Sequence, residues 1–274
     1  MTPIIHTINI LLPLLYLGTF LVYFYDFMKG EKKFVNVKRL FIFITLFLHL
    51  SYLLLRTIAF DHPPITNVFE IFTVLAFSIL FSYYLLELVT DIRGTGPFII
   101  IISFVFQLIS SLFIADQVEV RDVLKNNLLG IHVISALLGY SGFTISAVYG
   151  FLYLVLYKDL KHNRFGLIFN RLPNLEVLER LSFYSAVIGF ILLTISITIG
   201  IIWLPKAFPE FSYLDPKLIG SGLVWILYCV GIVSKTIIKW SGKKLIFLSI
   251  TGFLIAIFST IVTNFLAKSF HSFY

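Results

Sequence analysis

Eight continuous apolar runs divide this sequence, and each is long enough to cross a lipid bilayer as a helix. About 20 mostly apolar residues are needed for one helical crossing. A transmembrane barrel would instead show short strands of alternating apolar and polar residues, and these runs do not alternate. The sequence therefore predicts an all-α, polytopic integral membrane helix bundle with about eight transmembrane helices, in a single domain over residues 1–274. The runs are 4–27, 39–59, 66–90, 97–115, 128–157, 181–204, 218–236 and 245–268.

The composition also indicates a membrane protein and excludes several other classes. Hydrophobic residues make up 59% of the chain and charged residues 13%, whereas soluble domains are about half apolar and about a quarter charged. The single cysteine, Cys229, excludes a disulfide framework, a CxxC redox pair and a metal site built from cysteines. Hydrolase, kinase and phosphate-loop motifs are absent from the sequence, so no self-contained catalytic motif is expected.

Lysine and arginine are distributed unevenly between the loops, and this asymmetry predicts the orientation of the helices. Fifteen of them lie in loops that follow odd-numbered runs, and five lie on the opposite side. Because cytoplasmic loops carry the excess of positive charge, both termini are predicted to face outward from the cell's inner, cytoplasmic membrane. The net charge of +7 therefore indicates topology and not nucleic-acid binding.

His132, near the predicted outer end of the fifth run, is followed by small residues at helical spacing. Small residues allow a neighbouring helix, or a flat ligand, to approach the backbone closely. Two interpretations of His132 stay open, a polar residue in a helix-packing seam or a ligand for a bound group. The small residues are Ser135, Gly139, Gly142, Ser146 and Gly150.

A second histidine, His271, lies just beyond the last run, on the same predicted side of the membrane as His132. Two neutral imidazoles are the axial ligands that a low-spin haem iron accepts. The segment 203–217 lies on that side too and contains four aromatic residues, three prolines and two lysines. Aromatic faces suit a porphyrin plane, lysines suit its propionates, and the prolines are expected to prevent helix continuation. An interfacial aromatic belt is the alternative interpretation.

Charged and polar residues within the runs predict packing contacts. Arg56 and Glu70 lie near outer ends of neighbouring runs, where charges are costly, so the sequence predicts an ion pair between them. His49 lies deeper on the same helix face as Arg56 and is predicted to be a hydrogen-bonded packing residue, with a haem contact as the alternative. The histidines predicted to be solvated at membrane edges are His6, His62 and His162.

Four stretches, in order along the chain from about residue 45 to the end, carry the pattern of a known family. The first, 61–70, is similar to a GHxPxSNxYE turn, and the second, His132-Val133, opens the helix of small residues. The third is Asp215-Pro216-Lys217 with Trp225, similar to the end of a tryptophan-rich WWD segment, which here starts at Trp203. The fourth, 264–273, is similar to an NxLGxGLHSY ending. Together they resemble the cytochrome c assembly protein family of the CcsA/ResC type, which includes a HemX-like branch.

The resemblance implies a haem site at the outer face of the membrane. It implies that His132 and His271 are axial ligands of the haem iron, and that 203–217 is a WWD-like platform for haem b. Candidates for pairing with the propionates are Arg121, Lys125, Lys206 and Lys217. The remaining cofactor-binding residues that the resemblance implies are Trp203, Phe208, Phe211, Tyr213, Asp215, Pro216, Lys217 and Trp225.

The resemblance implies a function in c-type cytochrome biogenesis, in which the protein presents haem for attachment to apocytochrome c. It implies a CcsB/ResB-like membrane partner and a candidate role as a subunit of a haem lyase. A HemX-like, non-catalytic regulator or scaffold linked to haem biosynthesis stays open as the alternative. Departures from the family pattern make it plausible: Phe208, Ser212 and Leu214 replace the usual tryptophans, Leu218 replaces an acid, and an intramembrane histidine of the family falls at about Val233.

The cation asymmetry generates a first testable prediction, that the chain ends on the outer side. A reporter that is active only outside the cytoplasm should be active when fused after Tyr274, because the last run is predicted to cross from the cytoplasmic side outward. Strong activity of a cytoplasm-dependent reporter at the same position would contradict the predicted topology.

Overall fold

The computed structural model describes residues 2–30, 34–92, 94–117, 120, 126–207, 212 and 214–261. All regular secondary structure in these residues is helical, which confirms the predicted all-α class. The helices are α1 (Thr2–Lys29), α2 (Phe34–Phe60), α3 (Val68–Thr90), α4 (Gly96–Phe113), α5 (Asn127–Lys161), α6 (Leu167–Arg171), α7 (Leu175–Ala207), α8 (Pro216–Thr236) and α9 (Lys243–Ile261).

Eight helices in the described part of the chain are long and apolar enough to cross a membrane, as predicted, and α6 is a short connecting helix. The expectation that prolines stop the helix is wrong at Pro205, because α7 continues to Ala207. Proline has a φ angle compatible with a helix, but at Pro205 the hydrogen bond to the carbonyl of residue 201 is lost, and α7 ends two residues later.

Helix packing divides the chain into two compact units, and each is described by itself. Unit 1 comprises residues 1–130 and 165–173, and unit 2 comprises residues 131–164 and 174–274. In unit 1, α1 packs against α2 and α4, and α3 packs against the same two helices. In unit 2, α8 packs against α7 and α9.

His49 lies at the centre of a buried hydrogen-bonded group that joins the four long helices of unit 1. Its Nδ1 lies 2.8 Å from the hydroxyl of Tyr16 on α1, and its Nε2 lies 3.0 Å from the hydroxyl of Thr73 on α3. Thr73 in turn donates to the side-chain oxygen of Gln107 on α4, at 2.8 Å. Both ring nitrogens of His49 are therefore engaged, which confirms the prediction of a hydrogen-bonded packing residue.

The predicted ion pair between Arg56 and Glu70 is present, at 2.8 Å, and both side chains are almost fully buried. A second carboxylate, which the sequence did not indicate as a partner, also binds the guanidinium: Asp116 lies 3.0 Å from it. Glu70 also accepts hydrogen bonds from the backbone N–H and the hydroxyl of Thr66, at 2.8 and 2.7 Å. The network thus joins the ends of α2 and α4 to the turn that precedes α3.

The carboxylate of Asp116 titrates below its ordinary range. Burial would raise its pKa, but the hydrogen bond from His6 and the positive charge of Arg56 outweigh burial, so the pKa of Asp116 is lowered. A carboxyl group with a depressed pKa in the folded state contributes stability at neutral pH. That contribution is lost as the pH falls through the pKa of the folded state.

His62, which the sequence predicted to be solvated, is 3% exposed. Its Nε2 lies 2.8 Å from the carbonyl oxygen of Gln117, and its Nδ1 lies 3.0 Å from the carbonyl oxygen of Pro63. The prediction was wrong because residues 114–117, after α4, fold over the 61–66 turn, a tertiary contact that no local pattern indicates. His6 and His162 are exposed, as predicted.

The small-residue stripe on α5 is a packing seam within unit 2. A side chain at Gly139 or Gly142 would meet the backbone around Gly189 of α7, at 3.1 and 2.9 Å. One helical turn further, the hydroxyl of Ser146 bonds the hydroxyls of Ser182 and Ser249, at 3.1 and 2.6 Å. The seam therefore brings the backbones of α5 and α7 into direct contact, as small residues do in membrane bundles.

The buried charge network generates a prediction about stability. Glu70→Gln should lower the free energy of unfolding by about 3 kcal/mol, because it leaves the buried Arg56 with Asp116 as its remaining counter-charge. Unfolding in detergent, followed by circular dichroism, measures the effect.

The matched control for this prediction is Asp91→Asn, which removes the partner of Arg39 in an exposed ion pair. It should cost less than about 1 kcal/mol, since exposed pairs contribute little. Equal, mild effects of the two substitutions would show that the Arg56–Glu70 contact does not stabilise the fold.

Candidate functional site

The structure describes six of the ten residues predicted to bind the cofactor. Phe208, Phe211, Tyr213 and His271 lie outside the described residues, as do Arg121 and Lys125. The predicted pairing of His132 with His271 therefore stays a prediction. The six described residues, His132, Trp203, Asp215, Pro216, Lys217 and Trp225, all lie in unit 2.

His132 lies in the second turn of α5 and is bound to Ser196 of α7 through two reciprocal hydrogen bonds. The Nδ1 atom of the ring lies 2.8 Å from the backbone carbonyl oxygen of Ser196. In return, the hydroxyl of Ser196 donates to the backbone carbonyl oxygen of His132, at 2.8 Å. The two residues thus hold each other by side chain and by backbone.

This contact determines which tautomer of His132 is present. A carbonyl oxygen only accepts hydrogen bonds, so Nδ1 carries the proton and donates it to Ser196. In the neutral ring the lone pair is then on Nε2. Both hydrogen bonds that the structure describes for this ring go to Nδ1. His132 therefore presents the ring form that a metal-ligating histidine needs, with the other nitrogen bound to a carbonyl group.

Gly200 provides the space in which the ring of His132 lies. A Cβ atom at this position would be 2.9 Å from Cε1 and 3.3 Å from Nδ1 of the imidazole. Trp203 follows three residues after Gly200, and Ser196 precedes it by four, so the three residues lie on one face of α7. The ring of His132 on α5 thus contacts the same face of α7 that carries Trp203, another of the predicted haem-binding residues.

Asp215, Pro216 and Lys217 form the start of α8, where each residue has a local structural function. The side chain of Asp215 caps the helix by accepting a hydrogen bond from the backbone N–H of Lys217, at 2.8 Å. Pro216 occupies the first helical position, where its missing N–H has no cost. The motif therefore orients α8 and places Lys217 in its first turn, at the end of unit 2 where α7 ends.

Trp225 lies deeper in unit 2, between α7 and α8. Its indole N–H donates to the hydroxyl of Thr194, at 2.8 Å, and its ring stacks on Phe190. Residues 190 and 194 lie on a different face of α7 from residues 196 and 200. The structure therefore places Trp225 in the α7–α8 contact and not beside His132.

Sequence reasoning missed Ser196 and Gly200, the two residues of α7 that contact the ring of His132. Their one local signal is their spacing, since a serine and a glycine four residues apart interrupt an isoleucine-rich run near the predicted outer end. Such a pair indicates a close approach to another group. It does not indicate which group.

Comparison with known proteins identifies related chains. Residues 65–271 match the model of the family described as Cytochrome C assembly protein. The cytochrome c biogenesis protein CcsA of Guillardia theta is 29% identical over 237 residues, which cover 80% of this chain and 79% of that protein. The protein HemX of Brevibacillus brevis is 25% identical over 229 residues, which cover 81% and 82%. The CcsA protein of Prochlorococcus marinus is 26% identical over 270 residues, which cover 89% and 86%.

Proposed function

This chain belongs to the cytochrome c assembly protein family, and on that basis we propose that it is a multi-pass membrane protein of c-type cytochrome biogenesis that binds haem. In this proposal the protein holds haem b as its substrate at the predicted outer face and presents it for attachment to apocytochrome c. The relatives that bear the name cytochrome c biogenesis protein support the biogenesis role.

The geometry of His132 is the observation that carries the haem-binding part of the proposal. Its Nδ1–H is bound to a backbone carbonyl oxygen, so its Nε2 can provide a lone pair to iron. His49, by contrast, has both nitrogens engaged by hydroxyl groups. Of these two histidines in membrane-spanning helices, His132 is the one with a ring nitrogen suited to binding iron.

The residues that the sequence predicts to lie at the outer face would hold the porphyrin. His132 and His271 would bind the iron, and the aromatic side chains of Trp203, Phe208, Phe211 and Tyr213 would pack against the porphyrin. The ammonium groups of Lys206 and Lys217 pair with the propionates, as cations do with carboxylates. Bound haem would bring the redox-active iron, and the protein would supply position and orientation.

The proposed location is the cytoplasmic membrane, with the haem site on the side opposite the fifteen loop cations. Apocytochrome c and a CcsB/ResB-like membrane protein are the proposed partners. With them, this chain would act as the haem-holding subunit of a cytochrome c haem lyase.

A HemX-like regulator of haem biosynthesis is the second candidate function. The match to a HemX protein supports it, as does the resemblance, in which an intramembrane histidine of the assembly factors falls at about Val233. Deletion of the gene discriminates the two. Loss of covalently bound haem from c-type cytochromes supports the assembly function, and a changed tetrapyrrole content with normal cytochromes c supports the regulator.

The haem site generates the next prediction. The purified protein should contain haem and show a low-spin spectrum with a sharp α-band in the reduced form, because two imidazoles bind the iron. His132→Gly or His271→Gly removes one ligand, so the spectrum should become high-spin or the haem should be lost. Added imidazole should fill the vacated position and restore the low-spin spectrum.

His162→Ala is the control for this experiment, because His162 is exposed and lies on the predicted cytoplasmic side. Its spectrum should equal that of the wild type. An unchanged low-spin spectrum in both glycine variants would overturn the ligand assignment, and a haem-free wild-type protein from haem-replete cells would overturn haem binding.

A further inference from the structure

We infer that Ser196 and Gly200 are positioning residues for the haem ligand, which fix the tautomer and the ring orientation of His132. This inference rests on the proposed haem-binding function, but its structural part concerns the protein without haem. Ser196 and Gly200 contact no porphyrin in this scheme and act through His132 alone.

Ser196 fixes His132 at two points. Its carbonyl oxygen accepts the Nδ1–H bond and so selects the tautomer whose lone pair is on Nε2. Its hydroxyl lies 2.8 Å from the backbone carbonyl oxygen of His132 and 3.2 Å from Nδ1, which ties the backbone of α5 to the same turn of α7. The imidazole therefore cannot rotate about its side-chain bonds without losing a hydrogen bond in a water-poor environment.

Gly200 allows that contact to form. A methyl group at this position would be 2.9 Å from Cε1 of His132, closer than Cβ atoms approach other atoms in proteins. The ring, which is the movable group, would be displaced away from α7, and Nδ1 would move away from the carbonyl oxygen of Ser196. A glycine four residues after Ser196 is thus the condition for the short Nδ1–O contact.

The contact has a chemical consequence for a bound metal. A hydrogen bond from Nδ1–H to a carbonyl group raises the basicity of Nε2 and orients the ring. A more basic axial imidazole stabilises ferric over ferrous haem, so it lowers the reduction potential. Substitutions that weaken such supporting contacts typically lower metal affinity by about 10- to 100-fold.

The first experiment tests the positioning in the haem-free, full-length protein. Nitrogen-15 NMR of protein with labelled histidine distinguishes the two tautomers, and His132→Gln identifies the signal of His132. We expect a protonated Nδ1 in the wild type and a mixture of tautomers in Gly200→Ala. Gly222→Ala is the matched control, because a methyl group at Gly222 meets no atom within 4 Å.

The second experiment tests the effect on haem. Gly200→Ala should weaken haem binding by about 10- to 100-fold, reduce the low-spin fraction and raise the reduction potential. Ser196→Ala keeps the carbonyl contact and loses the hydroxyl, so it should change the same quantities in the same direction by less. Ser221→Ala is its control, since Ser221 bonds a carbonyl group of its own helix.

The outcomes separate this inference from the proposed function. A protonated Nε2 in the haem-free wild type would overturn the positioning. It would also be overturned if the tautomer, reduction potential and spectrum of Gly200→Ala and Ser196→Ala equalled those of the controls. A wild type that binds no haem but shows the Nδ1–H tautomer, disturbed in Gly200→Ala, would overturn the proposed function and leave the positioning supported.

Discussion

The absence of water from the hydrocarbon core of a membrane is the constraint on which this structure depends, because each polar group there has to find its partner within the protein. Helices satisfy the backbone groups, and contacts between helices satisfy many of the polar side chains. Arg56 meets two carboxylates, and Ser146 meets two serine hydroxyls on other helices. These polar contacts select one arrangement among apolar surfaces that would pack in many ways.

The same constraint gives the histidines different chemical capacities. His49 has hydroxyl partners at both ring nitrogens, so metal binding would require at least one hydrogen bond to break. His132 is bound through Nδ1, and its reciprocal bonds with Ser196 hold the ring in place. Among the described contacts, His49 thus has hydrogen bonds at both ring nitrogens and His132 has them at Nδ1, which favours His132 as the candidate ligand.

The sequence predicted correctly the features that depend on a local pattern, or on the high energetic cost of leaving a charge unpaired in the membrane. Hydrophobic length predicts the eight spans, and the cost of isolated charges predicts the contact between Arg56 and Glu70. The contact of His132 with Ser196 and that of Arg56 with Asp116 each join residues about sixty positions apart in the chain. Such contacts depend on how the helices pack, which no local pattern encodes. The expectation failed at Pro205 because a proline φ angle is compatible with a helix, so α7 continues for two more residues before it ends.

The contact of His132 with Ser196 and the packing seam of unit 2 belong to one regular series of contacts between α5 and α7. Contacts between α5 and α7 recur every seven residues along α5, and each step is matched by seven residues back along α7: His132 meets Ser196, Gly139 meets Gly189, and Ser146 meets Ser182. The glycine contact sets how closely the two helices approach, because packing there is backbone against backbone. A side chain at residue 139 or 189 would separate the helices, and the distance from Nδ1 of His132 to Ser196 would grow with that separation. The glycines at 139 and 189 therefore set the geometry of the imidazole one step further along the helices, which is why a stripe suited to helix packing also serves the candidate ligand site.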